Sequence, residues 1–304
     1  MSKNPTFSIL ITTKNRKDEL FFTLNNITKN KTDEVEIVVF DDGSSDGTSD
    51  MLKEKFPTIL LYKNEISKGY IYCRNFMLNT TKSEFAISLD DDSHFVSDNY
   101  LQEIADFFNN NKDCGVIAFR IFWGKQLPNT IDSYKVPFRV KSFVGCGHAW
   151  RMKAWKEIPN YPEWFVFYGE ENFASYYLLK KKWKIIYNPA LFVQHRVDVK
   201  SRKNDNDNLK RTRMSLRSGL FLFFLFLPFK ATVYSFLSSI WVQIKNKILK
   251  GDKITTIAFF QVMFDLVINT PRLIRYRDKL TKKEYSIFKQ LPDSQIFWTP
   301  NEKR

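Results

Sequence analysis

Before residue 90, a short apolar run rich in β-branched residues occurs four times, at 7–11, 35–40, 59–62 and 84–89, with helix-spaced segments between. Few folds accommodate that order. Leu20, Leu24 and Ile27 recur at the spacing of one helix face, so 19–27 is predicted helical. Asp46 is placed to cap a second helix running to residue 56, and a third is predicted at 70–79. A helix at 99–110 and a fifth strand at 116–122 continue the alternation. Strands alternating with helices imply an α/β domain with a mainly parallel, doubly wound sheet flanked by helices. The ligand site of such a sheet lies at the carboxyl ends of its strands.

Residues 123–164 are richer in glycine, proline and aromatics, with Pro128, Pro137, Pro159 and Pro162 breaking the segment, and read as a substrate-facing insert. A helix at 170–182 and strands at 184–187 and 191–195 close this block. The polar stretch 200–208 (KSRKNDNDN) marks the expected boundary between a domain of 1–199 and a helical region of 200–304. Cys73, Cys114 and Cys146 share no metal-ligand spacing, so neither a disulfide framework nor a zinc site is expected, and a reducing cytoplasm is. No long apolar stretch follows Met1, so no signal peptide is expected.

Asp90, Asp91 and Asp92 stand directly behind the fourth apolar run. Three adjacent carboxylates repel one another, and a hard divalent cation is the natural compensation at a strand end. An acidic loop or helix cap is the ordinary alternative. Asp41 and Asp42 follow the second run in the same way, opening a turn rich in Asp, Gly and Ser, which such residues form whatever the function. In one parallel sheet the two acidic ends converge, so one pair is expected to accept a hydrogen bond from a base or ribose while the other group holds metal.

Taken in order, the run 8–16 (SILITTKNR), the turn from Asp41 to Thr48, Gly69 with Arg74 and Asn75, and Leu89 with the three aspartates resemble family 2 nucleotide-sugar glycosyltransferases of the GT-A fold. The resemblance covers about residues 6–196, departing at Thr12 and Lys14, where the family often has proline and tyrosine. Gly145, Cys146 and Gly147, then Arg151 and Trp155, then Gly169, Glu170, Glu171 and Asn172 are similar to the family's acceptor-side loop and to its acidic pair before a helix.

The resemblance implies a nucleotide-sugar half, 1–122, and an acceptor half, 123–199. Thr12, Thr13, Asn15, Arg16, Asp41, Asp42, Lys68, Arg74, Asp90 and Asp91 would bind the nucleotide sugar, a UDP- or dTDP-sugar. Asp92 and His195 would hold Mn²⁺ or Mg²⁺, with His94 the second choice of histidine. Gly145, Gly147 and Trp150 would line the acceptor side. Glu171 is the implied general base and Glu170 its competitor, since inversion needs a carboxylate opposite the leaving diphosphate. The helix dipole is expected to keep both ionised.

The net charge of +14 is unevenly spread: 25 Lys and Arg oppose 24 Asp and Glu through His195, and 22 oppose 9 after it. That asymmetry points to an anionic partner for the last third, and a membrane surface is favoured over nucleic acid. Two uncharged runs, 219–229 and 231–244, are each shorter than the roughly 20 residues that span a bilayer, and Pro228 and Lys230 separate them. An interfacial segment carrying Phe223, Phe224 and Phe226 into lipid is expected; a helical cap on the domain or an oligomer interface is the alternative. The chain is thus read as an inverting, metal-dependent glycosyltransferase. It would act on a glycan or lipid-linked acceptor in polysaccharide or surface-glycan synthesis, in the cytoplasm or on the inner membrane face. A nucleotidyltransferase and an inactive sugar- or membrane-binding module are the competing readings.

Overall fold

The computed structural model describes residues 5–30, 32–127, 131, 136–197, 207–294 and 296–298. The first half runs β1 (Phe7–Thr13), α1 (Lys17–Ile27), β2 (Val35–Asp41), α2 (Thr48–Lys55), β3 (Leu60–Lys63), α3 (Tyr70–Thr80), β4 (Phe85–Asp90), β5 (Ser93–Phe95), α4 (Tyr100–Asn110) and β6 (Cys114–Trp123). There follow β7 (Phe138–Val140), β8 (Gly147–Arg151), α5 (Met152–Lys156), α6 (Glu170–Lys180) and β9 (Lys184–His195). The carboxyl-terminal third is α7 (Asn208–Phe226), α8 (Phe229–Asn246), α9 (Lys253–Arg275), α10 (Lys282–Gln290) and β10 (Ile296–Trp298).

Among the described residues the strands form one sheet in the order β3-β2-β1-β4-β8-β6-β9-β5, with β10 beside β6 and β7 beside β9. The strands β3, β2, β1 and β4 are parallel, whereas β8 enters antiparallel between β4 and β6. The sheet is therefore mixed at its centre, and the expected insert supplies one of its central strands. Leu10, Val38 and Ala86 point to one face, and Ile9, Ile11, Ile37, Val39 and Ile87 to the other. Both faces are covered, which is why these strands read as continuous apolar runs.

Two local expectations change. Residues 184–195 form one strand, because a register shift against β6 near Phe119 and Arg120 carries pairing across Pro189. Gly47, not Asp46, is the N-cap of α2; Asp46 instead accepts from the backbone N–H of Thr48 at 3.1 Å and of Lys17 at 3.0 Å, tying two loops together. The boundary at 199/200, like most of the stretch 200–208, lies outside the described residues, as does Pro128.

The largest revision concerns α7. Its Leu220, Phe221, Leu222, Leu225 and Phe226 join the core, and Phe223 and Phe224 pack against it. Phe226 is enclosed by Phe173, Tyr176 and Tyr177. The expectation that 219–229 enters lipid is corrected for its α7 portion: burial against α6 already satisfies that apolar face.

Candidate active site

Register brings the site together. In the parallel ladder Thr12 lies opposite Asp90 and Thr13 opposite Asp41, so the carboxyl ends of β1, β2 and β4 are level. The antiparallel pairing of Ser93 with His195 then delivers the imidazole to the acidic strand end. His195 Nε2 is 2.9 Å from Asp92 Oδ1 and 3.9 Å from Asp90 Oδ2. Ligand atoms of Asp90, Cys146 and His195 lie within 4.8 Å of one another. The two expected metal ligands are thus neighbours, with Asp90 and Cys146 beside them.

Arg16 and Arg74 offset part of the acidic charge. Arg16 Nε is 2.8 Å from Asp91, and its Nη2 is 2.6 Å from Asp92. Thr13 Oγ1 donates to Asp91 Oδ2 at 2.9 Å. These contacts make Thr13 and Arg16 organisers of the acidic triplet. Burial pushes Asp91 up to about 7 despite Arg16, with Asp92 and Asp90 adding to the rise. Burial opposes an imidazolium at His195, but Cys146 and Asp92 override it and push the group up to about 11. Both shifts report carboxylates crowded into one buried corner.

Arg74, fully enclosed, bridges the two halves of the site: its guanidinium is 2.7 Å from Asp90, 3.0 Å from Glu170 and 3.5 Å from Glu171. The resemblance implies a donor-binding role for Arg74; here its guanidinium is engaged by all three carboxylates. Glu170 is the buried member of the acid pair, with 2% of its side chain exposed against 17% for Glu171. Tyr70 Oη donates to Glu170 at 2.7 Å and accepts from the N–H of Tyr168 at 3.0 Å. Burial and the adjacent Glu170 hold Glu171 well above the usual carboxylate range, with Arg74 opposing. The helix dipole, expected to help keep the pair ionised, is opposed at Glu171 by burial and the adjacent carboxylate.

Two glycines are required by close approach. A Cβ on Gly145 would stand 2.1 Å from Glu171 Oε1 and 2.8 Å from Arg74 Nη1, so Gly145 does belong to the wall around the acid pair. Gly169, the N-cap of α6, has φ +89° and would drive a Cβ to 2.9 Å from Ser218. Val166 and Tyr168 before it also have positive φ, and Arg217 and Ser218 of α7 donate to the carbonyls of Phe165 and Phe167. The carboxyl-terminal helices therefore brace the loop that aims Glu170 and Glu171.

Other expected residues sit elsewhere. Trp150 is completely buried, packed on Phe143, Trp155 and Tyr161, so it is core and cannot meet an acceptor. Gly147 lies on the same inner strand, beside Ile121 and opposite Leu89, so it too is internal. Asp41 is fully buried and accepts from Ser44 N at 2.9 Å and from the Ser49 hydroxyl. Asp42 accepts from Asn64, Ser67, Lys68 N and Gly69 N at 2.6–2.9 Å. Burial would raise Asp42, but these four donors hold it below its ordinary value. Both carboxylates are thus engaged in building the turn at the carboxyl end of β2.

Asn15, at φ +52°, accepts from Ser45 N at 2.8 Å and shapes the same turn, while Lys68 reaches an exposed position over the Tyr72 ring. His94 stands apart from the His195 group: its Nδ1 is 2.7 Å from the Arg196 guanidinium, and burial and Arg196 push the imidazole down to about 4, while the ligand atoms that converge are those of Asp90, Cys146 and His195. Tyr70 was missed from the sequence. Its spacing of four from Arg74 on one helix was the available signal.

An acidic cluster on the carboxyl edge of a doubly covered sheet, beside an acid pair that opens a helix, has the groups to take up a cation and a proton at the place where such a sheet binds its ligand. The chain belongs to Glycosyl transferase family 2, whose model matches residues 8–175. Over 91 residues it is 33% identical to the UDP-Glc:alpha-D-GlcNAc-diphosphoundecaprenol beta-1,3-glucosyltransferase WfaP of Escherichia coli, covering 30% of this chain. That match spans 36% of the relative's length.

Two solved structures share the fold at low identity. GalNAc-T7, crystallised with UDP, GalNAc and Mn²⁺, superposes with a TM-score of 0.62 at 17% identity, over 89% of this chain and 58% of that one. The mannosyltransferase PcManGT of Pyrobaculum calidifontis, solved with GDP-Man and Mn²⁺, gives 0.58 at 14%, over 95% and 84%. Both support the GT-A arrangement with carboxyl-terminal helices.

Proposed function

We propose that this glycosyltransferase moves a sugar from a nucleotide diphosphate, a UDP- or dTDP-sugar, to an acceptor hydroxyl with inversion, and that Glu171 is the general base. The carrying observation is the asymmetry of the acid pair. Glu170 is buried and spent on Tyr70 and Arg74, whereas Glu171 keeps an exposed edge on the same side as the acidic strand end. A carboxylate held above its usual range binds a proton more tightly, which suits removal of a proton from an attacking hydroxyl. Arg74 fixes the distance between this base and Asp90.

The donor set fits a divalent cation. Asp90, Asp91, Asp92, Glu170 and Glu171 face only Arg16 and Arg74 as permanent cations in the contacts described above. Asp90, Asp92 and His195 would hold Mn²⁺ or Mg²⁺, which when bound offsets charge on the departing nucleoside diphosphate. Trp123, packed edge-on at 5.4 Å, fixes the His195 ring from behind.

A lipid-linked acceptor in surface-glycan or polysaccharide synthesis, met at the cytoplasmic membrane face, is supported by the diphosphoundecaprenol substrate in the name of the Escherichia coli relative. Three unpaired cysteines suit a reducing compartment. The base assignment is tested by Glu171→Gln, expected to lower transfer by a factor on the order of 10² to 10⁴ with donor binding retained. Glu170→Gln should reduce stability more and rate less. The reverse order of rate effects would overturn the assignment.

A further inference from the structure

The helices α8 and α9 reverse the usual surface pattern. The outward stripe of α8 repeats every three to four residues through Phe229, Val233, Tyr234, Leu237, Trp241 and Val242, with Phe229 74% and Trp241 60% exposed. The outward stripe of α9 is formed by Ile257, Phe260, Phe264, Val267, Ile268 and Ile274, with Val267 72% exposed. A helix on a soluble surface turns polar residues outward. Within α8 only Thr232 is fully buried, its hydroxyl donating to carbonyls at the end of α7; Ala231 and Phe236 pack against the core along one edge, and the outward stripe stands clear of it.

Charge selects the occupant of this face. Residues 208–277 contain 12 Lys and Arg against two acids, Asp252 and Asp265. Both acids are engaged internally: Asp252 caps α9 through Thr255, and Asp265 is held at 2.6 and 2.8 Å by Arg213 of α7. Lys245, Lys247, Lys250 and Lys253 cluster where α8 turns into α9, around an exposed Leu249. A second copy docked by twofold symmetry would bring the same cationic cluster to the same interface and be repelled. Anionic phospholipid supplies both the apolar layer and the opposite charge.

We propose that α8, the turn at 248–250 and α9 form a face that lies on an anionic membrane. It lies on the surface rather than spanning: α9 is long and apolar enough to cross a bilayer, yet Ala258, Val262 and Leu266 are buried and Asp265 pins it to α7. This deepens the lipid-linked acceptor reading, because α7 and α9 also brace the loop before Glu170: Arg217 bonds Phe165, and Arg272 lies over Trp164. The face would present that loop to the layer where a lipid-linked acceptor resides.

The test is vesicle sedimentation of the full chain without donor or acceptor, comparing phosphatidylcholine alone with phosphatidylcholine containing about a third phosphatidylglycerol. Binding is expected only to the anionic vesicles, weakening as salt rises from about 0.1 M, where charge attraction is screened within about 10 Å. Leu237→Ser with Trp241→Ser, and separately Phe260→Ser with Phe264→Ser, should each reduce binding at least tenfold. These side chains are exposed, so unfolding temperature and donor hydrolysis should hold. Lys245→Gln, Lys247→Gln and Lys250→Gln together should weaken binding on the order of 10²-fold. Equal binding to both vesicle types, or a parent that ignores vesicles and forms a dimer that the serine variants dissociate, would overturn the proposal. Vesicle binding intact but no transfer to a lipid-linked acceptor would sink the acceptor reading alone.

Discussion

Gly145→Ala is the sharpest probe of the acid pair. The φ of Gly145 is not in the left-handed region, so alanine imposes no backbone strain there. The added methyl would nevertheless stand 2.1 Å from Glu171 Oε1, and ordinary contact begins near 3.4 Å. Arg74, at 2.8 Å from the same point, is pinned by Asp90 and Glu170, so the carboxylate of Glu171 must retreat by more than 1 Å. Misplacing a reacting group by about 1 Å costs on the order of 10²-fold in rate, or about 2.7 kcal/mol of barrier. Initial rates of nucleoside diphosphate release with acceptor, together with donor affinity by calorimetry, should show a lowered rate and nearly unchanged donor binding. In a Glu171→Asp background the shorter side chain leaves room, so the same alanine should cost much less. A folded Gly145→Ala enzyme within threefold of the parent rate, or equal losses in both backgrounds, would refute the placement of Glu171.

Asp92→Asn and His195→Ala should each abolish the Mn²⁺-dependent part of nucleotide diphosphate affinity; titrations with and without the ion that match the parent would remove both from the metal site. Arg74→Met leaves Glu170 and Glu171 buried without their cation and should cost about 3–5 kcal/mol of stability near pH 8. Glu171 is already raised with Arg74 opposing, so the variant's folded value rises further above the unfolded value of about 4.3. A carboxylate raised in the folded state destabilises it above the unfolded pKa, and the penalty fades as pH falls through the folded value. Denaturant unfolding should therefore show the deficit shrinking between pH 8 and pH 5.5, and a constant deficit would contradict the charge account.

The sequence alone determined the parallel half of the sheet and its acidic edge. Strands buried on both faces must be apolar throughout, and Asp41 and Asp90 must follow them where the chain leaves the core, so position along the chain already encodes position at the site. It also marked the acid pair, because Gly169 and two glutamates open a helix whatever packs around them. What it could not carry was contact between distant segments. Trp150 and Gly147 were assigned to the acceptor side by family resemblance; only the antiparallel pairing of β8 with β4 and β6 made them internal. Phe226 and Trp241 both read as aromatics in uncharged runs. Packing of α7 on α6 buried the first, while α8 leaves the second on its exposed stripe. The division between Glu170 and Glu171 was likewise tertiary. Neighbours in sequence carry the same chemistry, and the approach of Tyr70 and Arg74 from α3 made Glu170 the buried, hydrogen-bonded member and left Glu171 the more exposed one, with Arg74 at 3.5 Å.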